Sequence, residues 1–95
     1  MATRVQKIEE ILKQAFSPER LQVEDDSAKH AGHAGARQGG GHYQVLLVAA
    51  AFSGKSLVEQ HRMVNEALRD LFGGEIHALA LQTYDPTTWQ KRSAG

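Results

Sequence analysis

The sequence predicts an α/β fold of the α+β kind: helices packed on a three-stranded mixed sheet, in the order α-β-β-α-β with a short C-terminal helix. Three observations carry that prediction. Two stretches place apolar residues at helical spacing. A dense run of β-forming residues, Tyr43-Gln44-Val45-Leu46-Leu47-Val48, lies between them. A glycine-rich interruption separates that run from a shorter alternating segment.

The first helix is expected from about Arg4 to Phe16. Val5, Ile8, Ile11, Leu12, Ala15 and Phe16 recur at three- and four-residue spacing and so share one stripe. Thr3 with Gln6 fits a capping box. Ser17-Pro18 stops the helix, because a residue before proline is pushed out of the α region. Leu21 to Glu24 alternates apolar and polar, as a strand with one buried face does. From Asp25 to Gly41 the pattern disappears, with Gly32, Gly35, Gly39, Gly40 and Gly41 interleaved with alanines. A flexible loop over 25–41 is expected, and loops of that length in compact domains often carry function.

His42 to Phe52 reads as the central strand, apolar on both faces toward its end. Ser53-Gly54-Lys55 is a turn, and Ser56 with Glu59 fits a second capping box. The second helix follows, with Leu57, His61, Val64, Leu68 and Leu71 on one stripe and Gly73-Gly74 at its end. Glu75 to Gln82 reads as the third strand. Strict alternation puts Ile76, Ala78 and Ala80 on one face and His77, Leu79 and Leu81 on the other. Asp85-Pro86 suits an N-cap followed by proline at the first helical position, opening a short helix that carries Trp89. A frayed tail is expected over 90–95. Strands one and two can pair antiparallel, and the helical connection lets strands two and three run parallel.

With 95 residues the chain is read as one domain, 1–95. Lysine plus arginine number 11, as do aspartate plus glutamate, so no whole-molecule charge draws it to nucleic acid or an anionic membrane. No apolar run approaches bilayer-spanning length, and Met1-Ala2-Thr3-Arg4 leads directly into a helical pattern, so a cytoplasmic protein is expected. Cysteine is absent, which excludes disulfides and every thiolate ligand or nucleophile from this chain. Its five histidines become the residues to examine for chemistry. No phosphate loop, nucleophile arrangement or scaffolded carboxylate pair stands out, so no catalytic residue is assigned and the chain is not expected to be an enzyme. Asp25 and Asp26 are adjacent at a strand end, where their side chains diverge.

Several stretches then converge: Val23-Glu24-Asp25-Asp26-Ser27, His30-Ala31-Gly32-His33-Ala34-Gly35, His42-Tyr43, Phe52-Ser53-Gly54-Lys55-Ser56-Leu57-Val58, His61-Arg62-Met63-Val64-Asn65, Ile76-His77-Ala78-Leu79-Ala80-Leu81 and Asp85-Pro86-Thr87-Thr88-Trp89. In this order and spacing the chain resembles the BolA family over nearly its whole length. The resemblance implies a BolA-like fold, related to the type II KH domain. It departs from the family at Gln60, where arginine is usual, and at Gly41, where threonine is frequent.

The resemblance implies metal chemistry. The family histidine matching His77 is its principal cluster ligand, and the family loop supplies a second ligand, which His30 matches best and His33 could replace. His61 is read instead as packing and hydrogen-bonding within its helix, and His42 as pointing from a strand start. Two imidazoles do not complete a [2Fe–2S] site, which needs four ligands, although two histidines serve on one iron in Rieske centres. The resemblance implies the missing donors: a monothiol glutaredoxin cysteine and a glutathione thiol. The cluster is therefore expected to be shared, with none in the isolated chain. The expected role is iron–sulfur cluster assembly and trafficking, or iron and redox regulation. The alternative is a DNA-binding transcription regulator, with Lys55, His61, Arg62 and Arg69 as candidate contacts and Lys91 and Arg92 in the tail. A homodimer is left open, and no membrane partner is expected.

Overall fold

In the computed structural model, which describes residues 3–26 and 41–94, the first helix forms where its stripe and caps require. α1 spans Arg4–Phe16, and Thr3 and Gln6 close the reciprocal capping box. Ser17 ends it in the left-handed conformation, its N–H donating to the Lys13 carbonyl. Ile8 and Leu12 are fully buried, and Val5, Ile11 and Phe16 pack beside them. Ala15, expected on the same stripe, is exposed in the last turn of the helix.

The strands are β1 (Arg20–Asp25), β2 (Gly41–Val48) and β3 (Ile76–Tyr84), in spatial order β1-β2-β3. β1 pairs antiparallel with β2, and β2 pairs parallel with β3. Tyr43, Val45 and Leu47 project from β2 into the core with Ile8, Leu12, Phe52, Val64, Leu68 and Ile76. Leu79 and Leu81 pack against that core from β3. β2 stops at Val48 rather than reaching Phe52. Ala49-Ala50-Ala51 offers no branched side chain to pack on a pleated surface, and residues Ala50–Phe52 form a 3-10 turn that drives Phe52 into the core against Phe16.

α2 spans Leu57–Ala67, and Ser56 caps it by accepting from the Glu59 N–H at 3.1 Å. Only this half of the expected second box forms among the described residues. The inward stripe of α2 runs through Gln60 and Val64 to the capping Leu68, not through Leu57, which is 59% exposed. The correction has a polar cause. Gln60 Nε2 donates to the Lys55 carbonyl at 3.0 Å and the Phe52 carbonyl at 3.4 Å, while Gln60 Oε1 accepts from the Thr83 hydroxyl at 2.7 Å. A buried amide with its hydrogen bonds met can occupy a core position that apolar patterning passes over. A 3-10 turn over Arg69–Leu71 then takes the place of the last expected helical turn.

α3 spans Pro86–Ala94, so the segment expected to fray from Gln90 is helical through Ala94. Asp85 caps it, accepting from the Thr88 N–H at 2.7 Å, and that bond first of all holds the Asp85 carboxyl below the usual carboxylate range. Side chains hold the helix down. Trp89 packs on Tyr84 with ring centroids 5.3 Å apart, and the Arg20 and Arg92 guanidinium groups each lie 5.4 Å from the centre of one of these rings. The register sets Val48 between Arg20 and Tyr84, and Val48 is fully buried at this end of the sheet. Among the described residues no helix is long and apolar enough to cross a membrane.

Candidate functional site

The site begins with a register fault. Gly41 pairs with Ile76, but its neighbour His42 pairs with Ala78, so one step along β2 answers two along β3. His77 is the extra residue of a β-bulge, a device uncommon in parallel pairs and used to re-aim a side chain. Ile76 and Leu79 both belong to the core, leaving His77 and Ala78 between them directed away from it. This corrects the expected alternation: His77 does not share a face with Leu79 and Leu81. The spacing itself was a signal. Large apolar residues at 76, 79 and 81 cannot all face one way in a strictly alternating strand.

The bulge brings His77 to the second imidazole. His42 lies on the open face, and the His42 and His77 rings sit 5.2 Å apart between centroids at an angle of 46°. His77 is exposed and His42 half-buried. Sequence reasoning set His42 aside, since nothing in the chain pattern announces a partner across a parallel pair. Around the two rings, the Asp26 N–H donates to the His42 carbonyl at 2.7 Å and Gln44 Nε2 donates to Asp26 Oδ2 at 2.7 Å. A shallow pocket lined by Asp26, His42, Gln44, Ala78 and Ala80 lies beside them. His30 and His33 lie outside the described residues.

Two further contacts brace the bulge. The Gly41 N–H donates to the Glu75 carbonyl at 3.0 Å, and Lys7 of α1 reaches the Glu75 carboxylate at 3.3 Å. A hydrogen bond from its own backbone and then the Lys7 ammonium hold the Glu75 carboxyl below its ordinary value. Gly41 also has a steric role. A Cβ there would stand 2.5 Å from the Tyr43 hydroxyl, so the buried Tyr43 ring occupies the space a threonine would need.

The residues weighed for nucleic acid lie elsewhere, around α2. Lys55 and Arg62 are exposed and have no ion-pair partner among the described residues, whereas Arg69 is engaged by Glu66 at 2.8 Å and Asp70 at 3.8 Å. His61 is half-buried, and its Nε2 is shielded from solvent with no hydrogen-bond partner among the described residues, contrary to the bonded histidine expected there. Lys91 and Arg92 extend from α3, where Arg92 is occupied on Tyr84.

A family model described as BolA-like protein matches residues 12–88. The chain belongs to the BolA family. Among its BolA relatives, BolA-like protein 1 of Mus musculus is 40% identical over 80 residues, covering 84% of this chain and 56% of that protein. The DNA-binding transcriptional regulator BolA of Escherichia coli K12 is 38% identical over 85 residues, covering 90% of this chain and 78% of the regulator. The chain thus spans just over half the length of the mouse and human BolA-like protein 1 relatives. Its structure is similar to the BolA domain of SufE1 from Arabidopsis thaliana, with TM-score 0.79 and 36% identity, covering 93% of this chain and 98% of that one. It is similar as well to the solution structure of mouse BolA1, with TM-score 0.78 and 35% identity, covering 98% and 73% of the two chains.

What this BolA domain brings together is limited in a telling way. Among the described residues no group of three or more histidine, cysteine or acidic side chains gathers to hold a metal ion, and the chain has no cysteine. Two imidazoles from neighbouring strands, His77 exposed and His42 half-buried, match in number half of a four-ligand site. They fit a metal group only where the remaining donors come from another molecule.

Proposed function

We propose that this BolA-family chain lends imidazole ligands to a [2Fe–2S] cluster whose sulfur ligands come from a monothiol glutaredoxin cysteine and a glutathione thiol. The role is non-catalytic, in iron–sulfur trafficking or in iron and redox regulation. One observation carries the reading: the bulge leaves His77 exposed, with the His42 ring 5.2 Å away, on a chain that has no thiol of its own. His77 is the first ligand. The second imidazole is His42, or His30 or His33 from the segment between β1 and β2. Histidine ligation raises a cluster's potential relative to all-thiolate ligation and makes binding sensitive to pH, because imidazole ligates only when deprotonated. Those properties suit a cargo that is handed on.

The test mixes the chain with a glutaredoxin, glutathione and a cluster source, and follows the visible spectrum. His77→Ala is expected to change the band positions and shorten the lifetime of the shared species. A spectrum and lifetime indifferent to that substitution would remove His77 from the coordination sphere.

A second reading, duplex DNA binding through α2, draws on the cations Lys55 and Arg62, exposed and without an ion-pair partner among the described residues, and on the relative named as a DNA-binding regulator. Charge reversal at Arg62 should then flatten the salt dependence of binding. Equal affinity for every duplex, vanishing at moderate salt, reduces the contact to non-specific attraction.

A further inference from the structure

We infer that the outward face of α2 is a self-association surface, on which a second copy of this chain lays its own α2 antiparallel across a two-fold axis. The core takes Gln60, Val64 and Leu68 from this segment. The opposite side of the helix therefore carries Val58, Glu59, Arg62, Asn65 and Glu66, with Arg69 just beyond its end, and all of these are exposed. Two features set this stripe apart from an ordinary solvated face. Leu57 at 59% and Val58 at 66%, two of the three large apolar side chains left exposed among the described residues, stand together in the first turn, and the third, Phe72 at 39%, follows the last. The charges between them are self-complementary: Glu59, Arg62, Glu66 and Arg69 are spaced three, four and three residues apart, and the signs invert when the order is reversed.

An interface between two identical faces must be complementary to itself. With the axis between Arg62 and Glu66, antiparallel helices set Arg62 against the partner's Glu66 and Glu59 against the partner's Arg69, and symmetry repeats each pair. A parallel arrangement would set like charges against each other. Arg62 has Glu59 and Glu66 within one turn on its own helix, yet forms an ion pair with neither, and Glu66 is held by Arg69 at 2.8 Å in a fully exposed pair that can rearrange at small cost. Val58 then meets the aliphatic stem of the partner's Arg69, which can cover apolar surface while its charge stays in water. A shallow groove lined by Val58, His61, Arg62, Asn65 and Glu66 receives the ridge of the second helix. α2 is about 16 Å long, and so short a contact falls below the roughly 1,200 Å² of stable interfaces, so the dimer is weak and forms as concentration rises. α2 packs on the core side of the sheet and His77 points away from it, so pairing through α2 leaves both imidazoles accessible and stands apart from the cluster-sharing reading.

The experiment follows the full chain by sedimentation equilibrium over a wide range of concentration, with amide shifts of ¹⁵N-labelled protein recorded over the same range. Wild type is compared with Arg62→Glu, Glu66→Arg, the chain carrying both reversals, and Val58→Ser. The three positions are exposed, so every variant should keep the native circular dichroism spectrum. The expected result is a monomer–dimer equilibrium in wild type, with shift changes concentrated on α2 and residues 69–72. Each single reversal should weaken association about tenfold or more, and Val58→Ser should weaken it as well. The doubly reversed chain has the wild-type net charge and restores both crossed attractions, so its association should return to about the wild-type level. A wild-type chain that stays monomeric at the highest concentration overturns the self-association face. A doubly reversed chain no better than the single variants overturns the crossed pairing and with it the antiparallel arrangement. A dimer whose shift changes fall on β1 or β3 and whose stability ignores Val58→Ser moves the contact to the sheet and overturns it too.

Discussion

Replacing Gln60 by leucine removes one side chain that ties three parts of the fold together. Its amide nitrogen holds the Lys55 carbonyl at 3.0 Å and the Phe52 carbonyl at 3.4 Å, and its oxygen accepts from Thr83 at 2.7 Å. The three partners do not suffer equally. The Phe52 carbonyl keeps the Lys55 N–H, and the carbonyl of exposed Lys55 can turn to water. Thr83 is 4% exposed, so its hydroxyl loses its acceptor in a place water does not reach. An orphaned buried hydroxyl costs about 1–3 kcal/mol. Leucine fills a similar volume, so little cavity cost is added. A loss of about 2 kcal/mol corresponds to about 8–16 °C in the melting midpoint of a domain this size. Urea unfolding followed by circular dichroism measures it, with calorimetry as a check. Gln60→Leu combined with Thr83→Val removes both partners and should recover at least about 1 kcal/mol relative to the sum of the single changes. If Gln60→Leu stays within about 0.5 kcal/mol of wild type, or the double variant is simply additive, the network does not carry the weight assigned to it.

Four further outcomes are expected. Gly41→Ala should destabilise the domain by about 1–3 kcal/mol through overpacking against the Tyr43 ring, read as a lower urea midpoint with an unchanged slope. Leu47→Ala, at a fully buried position on the central strand, should cost about 2–5 kcal/mol, and a smaller loss would mean the core collapses around the gap. Thr3→Ala should cost about 1 kcal/mol by opening the α1 capping box, whereas Thr3→Ser should be near neutral. Asp85 titrates below the ordinary carboxylate value when folded, so its contribution is complete above the unfolded pKa of about 3.9 and is lost as pH falls through the lower folded value. Asp85→Asn keeps a cap but not the titration, so its melting midpoint should fall less steeply than wild type below pH 4; parallel slopes in the two proteins would show that the cap does not couple to the proton.

The two long helices, the central strand and the N-caps of the three α-helices were legible because local chemistry and tertiary packing ask for the same residues there. Thr3 and Gln6 signal the start of α1 in any context, and the apolar run at Tyr43–Val48 has nowhere to go but a sheet interior. What stayed hidden depends on the third dimension. Gln60 reads as surface until its carbonyl and hydroxyl partners are brought to it. The part of α3 from Gln90 onward reads as a fraying tail until Trp89 is seated on Tyr84 and beneath Arg20, which is distant in sequence. The site divides in the same way. His77 was legible through its motif, but its direction was not, because alternation assumes a regular ladder and the ladder breaks at that residue. His42 becomes a neighbour of His77 only once β2 and β3 run parallel with that break between them.

The most direct measurement is pulsed electron paramagnetic resonance on the reduced shared cluster, assembled from unlabelled glutaredoxin and glutathione with this chain carrying ¹⁵N-histidine. The account predicts strong ¹⁵N couplings that diminish on His77→Ala and lose a second component on His42→Ala, His30→Ala or His33→Ala. A cluster that forms fully but shows no ¹⁵N coupling would contradict it.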